Sequence, residues 1–359
     1  MTTRRKSAPK AKPTEHVSAL DIQQAWKHEN EAQRNQEHFG AGSEIAQVAA
    51  GSSETGSALK HRRSLRDFKQ SGKPPNLGQV RLLKAPKLDS IPWLIHGFST
   101  RQGGVSEVYG TNQLNLGYTE EDTAKNVDRN RALFLSALGA TTGKRKWPLV
   151  NLNQIHSAVI HRVRRGEKLP PKGDGLITDV RGVILTVKVA DCVPVIIADR
   201  RRKAVGIFHA GWRGTAARVV EKGVGELRHH FNCDPSDLVA SIGPAIGRCC
   251  YEIGNEVESE FESQFSYCRD LFEDVFDSWS LHTKYPLLFM NQRAPGHGEP
   301  ALSRHLDLVE ANCRQLLDAG VKPENIDRLD QCTCCHTDLF FSYRKERVTG
   351  RMMAAVGMR

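Results

Sequence analysis

The chain has 359 residues with 51 Lys+Arg against 41 Asp+Glu, enough for one large domain or two smaller ones. Its basicity is concentrated: residues 1–85 carry 15 Lys+Arg and 8 Asp+Glu, a net of +7, and the remaining 36 and 33 leave only +3. No stretch of the fold interleaves basic and aromatic residues as nucleic-acid binding would require, and no run approaches the roughly 20 apolar residues of a membrane span. Residues 1–12 are rich in Lys, Arg, Pro and Thr with no apolar stretch, unlike a secretory signal. Residues 18–38 can form a polar helix capped by Asp21, with a thin apolar face. Residues 39–80 are short of large apolar side chains, a composition that cannot offset ordering entropy. Residues 1–80 therefore read as a disordered basic and polar extension with at most one short helix. A solvated linker is preferred over a targeting or RNA-tethering tail. The ordered domain is expected over residues 81–359.

Within that domain, residues 91–100 (IPWLIHGFST) read as a strand and 101–106 (RQGGVS) as a tight glycine loop. Residues 122–138 have helical spacing with Gly139 as the stop. Residues 149–163 alternate into a strand pair around Gln154 and His156. Residues 183–190 and 193–198 are short, β-branched runs that read as two adjacent core strands. A strand at 204–209 leads to an amphipathic helix at 215–230 capped by Thr215. A strand at 238–242, a loop at 243–247 (GPAIG), a helix at 306–319 and strands at 340–343 and 352–356 complete the domain. Strands alternate with helices, yet adjacent strand pairs also occur. The fold class is thus α/β: a single-domain, mixed-sheet layered sandwich. Nine cysteines, an odd count with no signal sequence before them, point to reduced thiols and a cytoplasmic compartment.

Asp191 and Cys192 interrupt the two apolar runs, and Pro194 removes a backbone donor just beyond them, so the ladder is expected to break or bulge there. A carboxylate and a thiol there are costly to bury without partners, so they mark a site. The next strand ends in His209, within HAGWRG. His156, Cys192 and His209 are separated by 36 and 17 residues, far from zinc-finger spacing. Ligands from three separate strand ends suit a catalytic zinc, with three protein ligands and an open position. Asp191 would then support a ligand or carry a proton. The bland alternative for each is a packed or hydrogen-bonded side chain. Residues 211–215 open a helix, so Arg213 and the free backbone N–H groups can face phosphate, unless Arg213 is a structural tie. Arg101, in the glycine loop, is a second phosphate candidate. Trp212 is read as a core indole before a base-stacking one. Cys332, Cys334, Cys335 and His336, with Cys249 and Cys250, lack a matching cluster at zinc-finger spacing and are read as reduced, packed thiols rather than a second metal site.

The segments STRQGGVS (99–106), NQIH (153–156), DGLIT (174–178), ADCVP (190–194), HAGWRG (209–214), IGPAIG (242–247), CYEIG (250–254), Cys332-Thr333, FFSYR (340–344) and TGR (349–351) occur in one order. In that order they resemble the YfiH-like family. This is the laccase-domain or multi-copper polyphenol oxidoreductase family, now regarded as purine nucleoside phosphorylases. The resemblance covers roughly residues 90–359. It implies that His156, Cys192 and His209 bind zinc. It also implies phosphorolysis of adenosine, inosine and S-methyl-5′-thioadenosine, with adenosine deamination, so that purine nucleosides and phosphate are the expected partners. A four-copper laccase would need about ten His ligands, largely in H-x-H pairs. The chain has no H-x-H, and its His229-His230 pair falls on a helix. A three-ligand site with a thiolate can still take up Cu2+ in place of Zn2+. Two rival readings stay open. One is a cysteine hydrolase with Cys192 as nucleophile and His209 as base, acting on an amide such as a wrongly built cell-wall precursor. The other is a metal-binding interaction module that uses the basic tail. A monomer is the expected state.

Overall fold

The computed structural model describes residues 79–142, 145–166, 172–275 and 303–359. The expected extension, including its helix at 18–38, lies outside the described residues as far as residue 78. The two large sheets contain eleven strands. In chain order these are β1 (Leu82–Leu83), β2 (Leu94–Ser99), β3 (Leu149–Val150), β4 (Ile160–Arg162), β5 (Gly175–Thr178), β6 (Ile184–Val189), β7 (Val193–Asp199), β8 (Ala204–Ala210), β9 (Leu238–Ile242), β10 (Ile326–Arg328) and β11 (Met352–Met358). One sheet has the order β1-β2-β11-β6-β3 and the other β10-β9-β7-β8-β5-β4. Most neighbours are antiparallel, but β3–β6, β4–β5 and β9–β10 are parallel. Both sheets are mixed, as the alternation of elements implied.

The strands read as nearly continuous apolar runs because both of their faces are buried. In β7, Val193, Val195 and Ile197 pack toward helices, while Ile196 and Ala198 point to the other sheet. In β11, Met352, Ala354 and Val356 join that inter-sheet core, and Met353 and Ala355 face outward. Helix α1 (Ala124–Leu138) covers the outer face of the five-stranded sheet with Phe134, Leu135 and Leu138. It starts on Thr123, whose side chain accepts from the Asn126 N–H, and stops at Gly139 in the left-handed region. Helix α2 (Trp212–Ala216), α3 (Val219–Phe231), α4 (Asn255–Gln264) and α5 (Leu308–Asp318) lie on the six-stranded side. The layers are therefore helix, sheet, sheet, helix. No described helix is long and apolar enough to cross a membrane.

Five local expectations are corrected. Strands β6 and β7 are not paired; they belong to different sheets, and the chain passes between the sheets at Asp191-Cys192. No ladder needs to bulge at Pro194, which instead sits in β7 opposite His209. Residues 102–106 form a strand (Gln102–Ser106) bridged to Gln113 rather than a free loop. The helix expected from Thr215 is broken in two at Arg218, whose φ of 60° ends α2 and begins α3. Thr215 lies inside α2, where its hydroxyl accepts from Asn312 and its carbonyl from Gln315. Residues 340–343 are not a strand: Phe340 and Phe341 both enter the inter-sheet core, which strand alternation forbids. A short helix, Tyr343–Glu346, follows them.

Two glycines of α3 make opposite predictions. A Cβ on Gly223 would lie 2.4 Å from the Phe208 ring, whereas one on Gly225 would meet nothing within 4 Å. Gly225→Ala should stabilise by about 1 kcal/mol through helix propensity. Gly223→Ala should instead destabilise by about 1–3 kcal/mol through overpacking. Urea unfolding of the two variants checks this, and equal shifts of the same sign would contradict the packing described.

Candidate metal centre

The register of β7 against β8 sets Val193 opposite Ala210 and Pro194 opposite His209. Cys192 and His209 therefore emerge side by side from two neighbouring strands, just after one strand's crossover and just before the other's end. His156 comes from the loop between β3 and β4. The ligand atoms of His156, Cys192 and His209 all lie within 4.8 Å of one another, with Cys192 Sγ 3.9 Å from His156 Nε2. The two imidazole rings meet edge to face at 5.0 Å. Gly211 leaves room for this: a Cβ there would lie 2.8 Å from the His156 ring and 3.1 Å from Cys192 Sγ.

Asp174, which opens the DGLIT segment, ties the site together. Its fully buried carboxylate accepts from the N–H groups of Ile155, His156 and Ser157, from the Ser157 hydroxyl, and from His209 Nδ1 at 2.8 Å. It holds the His156 loop, including a left-handed φ of 56° at His156. It also accepts from His209 Nδ1, which leaves Nε2 to face Cys192. Gln154 pins the loop from the other side by exchanging two hydrogen bonds with the backbone of Lys188. In the sequence Asp174 is visible only as the first residue of DGLIT. Its signal would have been an acidic residue that starts a buried strand.

Asp191 has φ 89°, rare for a residue with a side chain. Three hydrogen bonds hold it there: Thr333 Oγ1 donates to one carboxylate oxygen at 2.6 Å, the Arg344 N–H to the other at 2.6 Å, and the Ile246 N–H to its carbonyl at 2.8 Å. The turn at Asp191 aims Cys192 into the site.

The charges of the three side chains are interdependent. Burial pushes the Asp174 carboxyl up, but the His209 hydrogen bond and charge, with those of Ser157, hold it below the usual carboxylate range. Burial opposes ionisation of Cys192, yet the His209 charge and hydrogen bonds from both histidines bring its thiol down to about 6. Burial likewise disfavours charge on His209, but the Cys192 thiolate and then Asp174 raise it to about 9. Burial and the same thiolate push the Tyr251 hydroxyl up. Tyr251 thus borders the site, a residue the sequence reading left unassigned within CYEIG.

The two arginines part company. Arg213 is well exposed, stacks 4.2 Å over Trp212 and makes only a long 3.7 Å pair with exposed Glu256. Trp212 is partly buried against the helix-side core, as expected. Arg101 does not join the site. It is buried, and its guanidinium is taken up by Gln113, Thr337, Tyr109 and Glu346 over the Phe341 ring. With four of its five N–H donors engaged and the side chain buried, Arg101 is placed as a structural tie rather than as a phosphate ligand.

The model of the multi-copper polyphenol oxidoreductase laccase family matches residues 95–359. The chain belongs to this family. A protein named purine nucleoside phosphorylase YlmD, from Geobacillus stearothermophilus, is 34% identical over 74% of this chain and 90% of its own length. Purine nucleoside phosphorylase YfiH of Escherichia coli is 30% identical over 72% of this chain and 91% of its own length. The crystal structure of a Bacillus licheniformis protein called YfiH superposes with a TM-score of 0.65 at 28% identity, covering 79% of this chain and 97% of that one. The mixed-sheet α/β fold is that of the YfiH structures.

The family's description implies a metal, and the donor set of this YfiH-like chain fits one. A tetrahedral zinc with Zn–S about 2.3 Å and Zn–N about 2.05 Å sets its sulfur and nitrogen ligands roughly 3.6 Å apart, close to the 3.9 Å between Cys192 and His156. Three protein ligands leave one position open. Among the described residues only one other group of His, Cys, Asp or Glu side chains is close enough to hold an ion, and it contains no histidine. The described ligands thus do not make up a blue copper plus a trinuclear cluster.

If the Asp174 carboxylate holds the loop, the amides of Ile155, His156 and Ser157 are slow to exchange in the native protein. In Asp174→Asn, which trades an anionic acceptor for a neutral one with donors of its own, their protection should fall by about tenfold or more. Hydrogen-exchange mass spectrometry over the 150–160 peptide reads this, and unchanged exchange would rule the tie out.

Proposed function

We propose that the chain is a zinc-dependent purine nucleoside phosphorylase acting on adenosine, inosine and S-methyl-5′-thioadenosine, with an accompanying adenosine deaminase activity. The observation that carries the reading is the convergence of His156, Cys192 and His209 in a chain whose relatives are named purine nucleoside phosphorylases. In phosphorolysis a phosphate oxygen bonds to C1′ of the sugar as the C1′–N9 bond breaks, and the electron pair leaves with the purine, which takes up a proton. Deamination adds a water oxygen at C6 as the C6–N bond breaks, and the 6-amino group leaves as ammonia. Zinc, when bound, supplies a Lewis acid and a water acidified to about neutral pH.

The chain's own residues supply the rest. His156, Cys192 and His209 are the ligands, and Asp174 orients His209. Asp191, both of whose carboxylate oxygens already accept hydrogen bonds, acts by positioning Cys192 rather than by carrying a proton. Arg213 is the phosphate ligand: its exposed pair with Glu256 is weak enough for a phosphate dianion to displace. Helix α2, at five residues, adds little dipole to that charge. The Tyr251 hydroxyl, kept protonated beside Cys192, is a hydrogen-bond donor for substrate.

Incubation with adenosine and phosphate should release adenine and ribose 1-phosphate, with inosine as the deamination product. His156→Ala and Cys192→Ala should each lose about 100-fold or more of this activity, because a two-ligand site holds zinc poorly. Arg213→Ala should raise the KM for phosphate about tenfold, the loss of one charge-assisted pair, with little change for nucleoside. No product from the wild type, or full activity in His156→Ala, would sink the reading.

One observation favours a second reading, a cysteine amide hydrolase. A thiol brought down to about 6 beside an imidazole raised to about 9 is the ion pair of a cysteine nucleophile and its base. Activity that survives chelation, with an acyl group trapped on Cys192, would select it over the metal enzyme.

A further inference from the structure

A sulfur cluster on another part of the fold has no role in the site above. The loop after β9 carries Cys249 and Cys250, and a turn 82 residues beyond carries Cys332 and Cys335 in C-x-x-C spacing. Sequence spacing favoured packed thiols, because a C-C pair and a C-x-x-C pair so far apart match no zinc finger. The fold removes the separation. Ala245 and Cys332 form a parallel bridge, and the Thr333 N–H donates to the Ala245 carbonyl at 3.0 Å. The four Sγ atoms then lie within 4.8 Å of one another, Cys335 Sγ being 3.5 Å from Cys249 Sγ and 3.4 Å from Cys250 Sγ.

We propose that Cys249, Cys250, Cys332 and Cys335 form a second, structural metal site that takes one zinc ion in tetrahedral thiolate coordination. Four sulfurs at a Zn–S distance of about 2.3 Å stand roughly 3.8 Å apart, within the spread observed. A four-sulfur tetrahedral set selects zinc or iron–sulfur chemistry, and sulfurs this close surround a single ion rather than the larger body of a multi-iron cluster. The backbone is shaped for sulfur. The Gly247 N–H donates to Cys332 Sγ at 3.2 Å, and a Cβ on Gly247 would lie 3.2 Å from Cys332 Cβ and 3.3 Å from Cys249 Sγ. Cys334, between the two ligands in sequence, is not one of the four.

The site would staple two loops that position the active cysteine. Thr333, next to Cys332, holds one oxygen of Asp191, and Ile246, next to Gly247, holds its carbonyl. Metal at the four sulfurs would thus fix the turn that aims Cys192, without touching substrate.

The test uses the full chain, purified under reducing, oxygen-free conditions, loaded with zinc and desalted. Metal analysis and zinc-edge X-ray absorption are run on wild type, on Cys192→Ala and on the double variant C332S/C335S. Cys192→Ala should retain one zinc per chain, surrounded by four sulfurs at about 2.3 Å, and the double variant should lose that ion. Should the double variant fail to fold, the Cys192→Ala spectrum decides by itself, because its four-sulfur cluster is intact. A Cys192→Ala protein without zinc and with all its remaining thiols titratable overturns the proposal. So does a retained zinc whose ligands are mainly nitrogen or oxygen.

Discussion

A buried carboxylate that accepts hydrogen bonds from a whole loop and from an imidazole is the constraint on which the rest of the site depends. Asp174 heads strand β5, next to β8, so its side chain can reach His209 and the His156 loop at once. Removing the carboxylate would leave the buried His209 Nδ1 without its partner, at a cost of about 1–3 kcal/mol, and would release the part-buried N–H groups of the His156 loop. The same contacts fix the His209 tautomer, so local stability and ligand orientation are one property. In ordinary metal sites the partner that orients a histidine is nearly as decisive as the histidine itself.

The second constraint is the passage of the chain from one sheet to the other at Asp191-Cys192. A residue held at φ 89° costs of order 1–3 kcal/mol and persists only when its surroundings over-determine it. Here they do: three hydrogen bonds come from the loop after β9 and from the segment between β10 and β11. The site thus sits where layers meet. Its three candidate ligands come from a crossover, a strand end and a loop, while the strands themselves are spent on the three cores between and outside the sheets.

Much of this was legible in the sequence. β-branched runs located the central strands, the helical spacing of residues 122–138 with Gly139 as its stop located α1, and polar residues in apolar surroundings pointed to Asp191, Cys192 and His209. What failed was non-local. Two apolar runs separated by two residues look like a hairpin whether or not they pair, and only the inter-sheet packing decides that β6 and β7 do not. Arg101 looks available in a glycine-rich segment until residues more than 230 positions away, Thr337 and Glu346, close on it. Thr215 has the residue type of a cap, but Gly211 starts the helix earlier and Asn312 takes its hydroxyl. Asp174 was visible as a motif letter, and its five partners appear only when β5 and β8 pair. The cysteines at 249, 250, 332 and 335 are the extreme case, because spacing along the chain carries no information about a bridge between two loops.

His156, Cys192 and His209 form the candidate metal centre to which Asp174 and the turn at Asp191 contribute. Anomalous diffraction at the zinc edge, from crystals of the zinc-loaded protein, tests that most directly. The account predicts a peak within bonding distance of Cys192 Sγ and of one ring nitrogen from each histidine, with His209 Nδ1 still on Asp174. Crystals with zinc in the medium and no peak among these three side chains would contradict it.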